Sequence, residues 1–382
     1  MRSLTPGRPA LTLPPTRSFR ITPLGNDLPG GGSCPVGGPL GNAVRFGDHV
    51  AYTMMKIDSR FAMGHAPPSA QLRSSSRREF LAETFRSAAV LGSQQTASAQ
   101  NARMRLILLG TGGGPRPRKA SSAAAQVIVT DGIAYAIDCG DGVARQLVMA
   151  DVPLSSLRHI FLTHQHSDHN ADYGNLIWLA WSAGLRTRID TWGPPPLRRM
   201  TRLFFQMNRY DIDTRIANEG RVPLSPLVHV HELRTGGEVM RDERVKVTSV
   251  LVDHPPVVPA FAYRFDGPER SIVISGDTAP SRNLVKLADG ADVLVHSVMY
   301  PNAIDRLVAR VPNAAALKSS ILAHQTSAEQ AGRVARDAGV KILVLSHFVP
   351  PDDPEITDQM WADAARIYFR GTVIVGKDLL EI

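Results

Sequence analysis

From residue 105 onward, short apolar runs recur along the chain, separated by Gly, Pro, Asp and His. Arg105–Leu109, Gln126–Thr130 and Ile133–Ile137 are rich in Leu, Ile and Val and read as strands, the last two joined across Asp131-Gly132 as a hairpin. His159–Thr163, Arg188–Trp192, Val245–Val252, Phe261–Phe265, Ser271–Ser275, Val293–Ser297 and Lys341–Leu345 continue the series. Between them, Val143–Met149, Tyr173–Ala183 and Leu197–Asn208 carry helical patterning, and Trp361–Phe369 followed by Thr372–Val375 reads as a closing helix and strand. Residues 210–240 read as turn-rich, a lid or substrate loop. His229 and His231 alternate along Val228–Leu233 and read as strand side chains outside any site. Strands alternating with helices predict an α/β class.

Polar residues fall at the ends of the apolar runs. Strand 159–163 opens into Thr163-His164-Gln165-His166-Ser167-Asp168-His169-Asn170, which places His164, His166, Asp168 and His169 close together. Neutral imidazole and carboxylate at this spacing suit zinc and similar borderline metals. Later runs end at Asp277, His296 and His347, and His254 follows another. Ligands gathered at strand ends, with helices between, describe an α/β sandwich with its site along one edge.

The order of three segments, Leu109-Gly110-Thr111-Gly112-Gly113-Gly114, Ile137-Asp138-Cys139-Gly140-Asp141-Gly142 and the His164–His169 motif, resembles the metallo-β-lactamase-fold superfamily, in its ribonuclease Z-like and arylsulfatase-like branch. The resemblance covers residues 104–382. It implies a four-layer αββα sandwich and a dinuclear zinc hydrolase, with Mn2+ or Fe as other candidate metals. His164, His166 and His254 match the ligands of one ion, Asp168, His169 and His347 those of the other, and Asp277 the bridging carboxylate. Asp138 matches a residue that supports the metal loop, and His296 is assigned the same role. His324, in Ala323-His324-Gln325-Thr326, matches a histidine near the leaving group. Asp168 and His324 are the catalytic assignments the resemblance implies: two ions, when bound, would activate a water for attack, Asp168 would orient it, and His324 would protonate the departing oxygen. The chain departs from the pattern at His296-Ser297-Val298-Met299, where the family has H-E-A-T. Loss of that Glu removes a supporting hydrogen bond, a change that can cost about 10–100-fold in affinity or activity.

Composition narrows the substrate. The formal net charge is +8, but residues 1–100 carry 11 Lys/Arg against 5 Asp/Glu, and the remaining 282 carry 32 against 30. The near-neutral catalytic part lacks the basic footprint expected for nucleic acid. The expected substrate is therefore a small phosphodiester or sulfate ester. A ribonuclease Z-type tRNA 3′ endonuclease, a lactonase and a non-catalytic metal-binding protein stand as alternatives, so nucleic acid stays open as a partner. Arg198, Arg199 and Arg202 read as a solvated helix face. Homodimers are common among relatives. No G-K-[ST] follows the glycine loop and no G-x-S-x-G occurs, so neither a P-loop nor a serine hydrolase is expected. No run of about 18 or more apolar residues suggests a membrane span. Of the two cysteines, Cys34 and Cys139, only the second lies in the catalytic part, where it reads as a small buried thiol.

Residues 1–62, rich in Gly, Pro and Arg, read as a disordered extension or a mis-assigned start, with Met54, Met55 and Met63 as internal starts. Residues 63–100 contain Ser76-Arg77-Arg78-Glu79-Phe80-Leu81 and then Ala97-Ser98-Ala99-Gln100, a pattern similar to a twin-arginine signal with an A-x-A-like cleavage site. That leader predicts a periplasmic or secreted protein handled by the twin-arginine translocase; read instead as an extension that is no signal, it predicts a cytoplasmic one. Glu83 and Arg86 interrupt its apolar stretch.

Overall fold

Strand β4 (Leu157–Phe161) pairs in parallel with β3 (Ile133–Ile137) and β5 (Ile189–Gly193), which fixes where the metal loop leaves the sheet. The computed structural model describes residues 104–382, and the leader readings for 1–62 and 63–100 lie outside the described residues. The first sheet has the order β1-β2-β3-β4-β5-β6, with β1 (Arg105–Gly110), β2 (Ala125–Thr130) and β6 (Val228–Glu232) completing it. Its first three strands are antiparallel and the rest parallel. Asp131 and Gly132 both have positive φ, 49° and 72°, as a two-residue hairpin turn of the primed type requires.

The second sheet runs β13-β12-β11-β10-β9-β8-β7. Its strands are β7 (Gly237–Arg241), β8 (Lys246–Leu251), β9 (Phe261–Asp266), β10 (Ser271–Ile274), β11 (Val293–Met299), β12 (Ile342–Val349) and β13 (Thr372–Val375). Here β10 to β13 are parallel and β7 to β10 antiparallel.

Three apolar layers hold these sheets. Leu106, Ile128, Tyr135, Phe161, Tyr263, Phe265 and Val295 fill the space between them. On the outer side of the first sheet, helices Val143–Met149 and Tyr173–Ser182 bury Val143, Leu147, Leu176 and Trp181. On the outer side of the second, helices Arg282–Leu287, Ala328–Asp337 and Asp358–Arg366 bury Leu284, Val334 and Trp361. The result is the four-layer αββα sandwich. Cys139 is a free, buried thiol, and burial pushes its pKa up. No helix among the described residues is long and apolar enough to cross a membrane.

Phe161 sits at the middle of the inter-sheet layer, edge-on to Tyr263 at 5.5 Å and Phe265 at 5.2 Å and stacked on Trp192 at 6.5 Å. Phe161→Ala is expected to cost about 3–5 kcal/mol, because the surrounding strands cannot collapse into the cavity. Denaturant unfolding measures it; a loss under about 1 kcal/mol would show that the two sheets repack.

Two expectations need correction. Residues 210–240 are not a turn-rich lid: Arg209–Glu219 is a helix, and β6 and β7 follow it. That helix buries only Ile212, so its apolar pattern is weak, and it is laced by the i,i+4 pairs Arg209–Asp213, Arg215–Asp211 and Arg215–Glu219. Second, β11 and β12 do not stop at His296 and His347 but run on to Met299 and Val349. The ladder slips between them, with Ser297 opposite Ser346 and Val298 opposite Phe348. His347 is the extra residue of that bulge, at φ 48°.

Residues 379–382 run back along β1. Leu106 and Ile382 exchange backbone hydrogen bonds, and Leu379 N–H donates to Leu108. The Asp378 carboxylate accepts from the Thr111 N–H and hydroxyl and from the Ser122 N–H, which seats both ends of the glycine-rich loop.

Candidate metal centre

Asp138, at φ 59° just past β3, is the first link between sheet and site. Its buried carboxylate accepts from the N–H and hydroxyl of Thr163 at 2.8–3.1 Å, which fixes the start of the metal loop. It also accepts from His169 Nδ1 at 2.7 Å. That bond turns the other nitrogen of His169, Nε2, inward. The loop is held from behind as well, by Cys139 N–H donating to the His169 carbonyl.

The same logic sets the other rings. Thr163 spends its hydroxyl proton on Asp138, so at 3.0 Å it accepts from His164 Nδ1, leaving the His164 Nε2 lone pair bare. His254 Nδ1 donates to the His324 carbonyl at 3.1 Å, which frees its Nε2. His166 Nδ1 then lies 3.0 Å from His164 Nε2 and 3.1 Å from His254 Nε2. Burial, reinforced by neighbouring histidines, holds all three rings below the ordinary histidine pKa and so neutral. Three neutral nitrogens converging on one point are a ligand set for a cation.

A second set lies beside it. His347 Nε2 is 3.1 Å from His169 Nε2, 3.2 Å from Asp168 Oδ2 and 3.3 Å from Asp277 Oδ1. Burial works against ionising Asp168 and Asp277, but His169 and His347 outweigh it and hold both carboxyls below the usual range. Burial likewise opposes charging His169, and Asp138 and Asp277 outweigh it, so its pKa is raised. A metal ion there would replace the inner proton of His169. The convergent donors form three overlapping trios: His164, His166 and His254; His164, His169 and Asp277; and Asp168, His169 and His347. Asp277 spans the two sides, since its Oδ2 lies 4.0 Å from His254 Nε2. These residues fit a pair of borderline metal ions by their chemistry and by the lone pairs they leave unmatched, Asp277 Oδ1 among them.

The seven residues assigned as ligands are thus brought together, and Asp138 touches one of them. His324 ends the helix Leu317–His324, its ring edge-on to His254 at 4.9 Å and its Nε2 2.7 Å from Ser320 Oγ. Burial, with the neighbouring His254 ring adding to it, holds its pKa down. His296 is not brought in. Its Nδ1 donates to the Ser297 carbonyl, its buried Nε2 has no partner, and burial pushes its pKa down to about 4. It is Ser297, one residue on, that borders the small internal cavity beneath the ligands, with Asp138, His169, Asp277, Ser346 and His347.

Several contributors were not assigned from sequence. Gln325 Nε2 donates to Asp277 Oδ2 at 2.6 Å, and Gly114 N–H to Asp168 Oδ2 at 2.7 Å. Arg118 binds the carbonyls of Gly112, Gly114 and Arg116 and stiffens the glycine loop. Gly276, at φ 59°, has no room for a side chain: a Cβ would lie 2.8 Å from the Phe261 carbonyl oxygen. The glycine loop and the neighbour of His324 were visible signals; Arg118 had none.

A cavity of about 340 Å3 opens over the ligands, bordered by His166, Asp168, His254, Asp277 and His347. A second groove, about 370 Å3, lies between Arg198, Arg202, Arg209 and β6, and contains none of the convergent donors. The chemistry belongs to the first.

A family model described as beta-lactamase superfamily domain matches residues 134–348. The chain belongs to the metallo-β-lactamase superfamily. It is 31% identical over 282 residues to a ribonuclease Z of Mycobacterium bovis, spanning 73% of this chain and 98% of that protein. It is 33% identical over 282 residues to a ribonuclease Z of Mycobacterium avium, with the same coverage. Among solved structures, the metallo-β-lactamase-fold protein YhfI of Bacillus subtilis aligns with a TM-score of 0.55 at 18% identity, covering 73% of this chain and 98% of that one. Human tRNase Z, short form, aligns at 0.53 and 21%, with the same coverage. The structures support the fold, and the sequence relatives place the chain among superfamily hydrolases with ribonuclease Z homologues.

Proposed function

We propose that this superfamily member is a dinuclear zinc hydrolase that cleaves a small ester, a phosphodiester or sulfate ester. The observation that carries it is the set of seven donors in overlapping trios, five of which border a cavity of about 340 Å3. His164, His166 and His254 would hold one ion and Asp168, His169 and His347 the other, with Asp277 between. Two ions, when bound, supply Lewis-acid activation of water and of the substrate's oxygen.

The chain's own residues do the rest. Asp168 is fixed by the Gly114 N–H and by His347, so its carboxylate orients the attacking water. His324, joined to Ser320, protonates the leaving oxygen. Gln325 keeps Asp277 from rotating away. No serine or cysteine nucleophile is needed: Cys139 is buried with its pKa raised, which disfavours the thiolate.

The second reading is a ribonuclease Z-type RNA endonuclease, favoured by relatives of that name matched over 98% of their length. The test is a panel of bis-p-nitrophenyl phosphate, an aryl sulfate, a lactone and a precursor tRNA, each assayed before and after chelation and after restoring zinc. Turnover of a small ester, lost on chelation and regained with zinc, is the expected result. Cleavage of the tRNA alone selects the second reading. Bound metal with no turnover on any of the four supports a non-catalytic metal protein.

A further inference from the structure

The cavity over the ligands has two unlike halves. One half is the ligand cluster. The other is an apolar wall made by Leu307, Val311, Leu317, Ile321 and Val349. Leu307, Ile321 and Val349 are buried in a satellite core with Met299 and Ile304, apart from the main layers. That core is pinned from outside by Arg306–Asp353 at 2.7 Å and Lys318–Asp305 at 2.6 Å. The wall is therefore a built surface.

Its register against the site follows from the helix. Leu317, Ile321 and His324 are spaced by four and three residues, so they share one face of the helix Leu317–His324. An ester reacting beside His324 lays the group attached to its leaving oxygen along Ile321 and Leu317. Among the described residues, half-buried Arg116 is the only Lys or Arg side chain bordering this cavity. A polynucleotide offers ribose and phosphate to such a wall, and those need polar or cationic partners. A cavity of about 340 Å3 is of ligand size, at the small end of the usual range.

We infer that the substrate is an anionic ester whose leaving group is apolar, an aryl or branched alkyl group seated on Leu317, Ile321, Val311 and Leu307. This rests on the hydrolase reading above and names the substrate class of the same site. A hydrophilic leaving group gains nothing from this wall, whereas burying a ring gains roughly 10–100-fold in affinity.

The experiment separates binding from turnover. Zinc-loaded protein is titrated with phenylphosphonate and with methylphosphonate by calorimetry, and the small esters are assayed in parallel. Phenylphosphonate is expected to bind roughly 10–100-fold more tightly. Leu317→Gln and, separately, Val311→Gln are expected to cut that ratio several-fold, with metal content reporting that each variant folds. Equal binding of the two phosphonates, or a ratio untouched in both variants, overturns the inference even if esters are hydrolysed. A strong phenyl preference without turnover of any ester leaves the apolar subsite standing and sinks the catalytic reading instead.

Discussion

Asp277→Ala is expected to lower ester turnover by at least about 10^3-fold, the rate equivalent of some 4 kcal/mol of transition-state stabilisation. Among the described residues, Asp277 is the one carboxylate that faces both donor sets, 3.3 Å from His347, 3.6 Å from His169 and 4.0 Å from His254. Without it the buried ring of His169 keeps only Asp138 and Asp168 as nearby anions, and the two sides of the site lose their link. The fold is expected to survive, because Asp277 lies after β10 and not in the inter-sheet layer. The measurement is steady-state turnover on bis-p-nitrophenyl phosphate together with metal content. Activity within about 10-fold of wild type would show that Asp277 does not bridge two ions. Asp277→Asn separates shape from charge: it keeps an acceptor for Gln325 but lacks the second anionic oxygen.

The second large effect is expected at a residue that touches no ion. Asp138→Ala should weaken zinc affinity by about 10–100-fold, the usual cost of removing a partner behind a metal-binding histidine. It should also destabilise the fold. The N–H of Thr163 and the ring N–H of His169 are left buried without an acceptor, at about 1–3 kcal/mol each. Zinc titration against a competing chelator measures the first, and thermal unfolding of the metal-free protein the second. Asp138→Asn restores acceptance from Thr163 but lacks the charge facing His169, so it should recover stability more than affinity. Wild-type affinity in Asp138→Ala would show that the rings are aimed by their packing alone.

Much of this site was legible because its ligands follow strands. A strand of known direction delivers the next residue to a predictable edge, so His164, His254 and Asp277 were placed by the apolar runs before them. Faces were harder. In β11, Val293 and Val295 point between the sheets while Leu294 and Val298 point at the helices. By that alternation His296 belongs to the outer face and Ser297 to the inner one. The run is buried on both sides, so its sequence shows no polar rhythm to reveal it. The bulge that turns His347 into the site was equally silent. The helix Arg209–Glu219 escaped notice because charge pairs, and little apolar surface, mark it. Asp378 was unreadable for another reason: its partners Thr111 and Ser122 are more than 250 residues away in the chain.

That last contact sets an order in time. The glycine loop carries the Gly114 amide that anchors Asp168, and the loop is seated by the carboxylate of Asp378. During synthesis β1 (Arg105–Gly110) leaves the ribosome early, yet residues 378–382, which pack back on it, follow it by more than 260 residues. The nascent chain can stack its helices and pair its inner strands early. Its metal loop meets its final support only when translation has passed residue 378, so the pocket matures long after the segments that carry its first ligands are made.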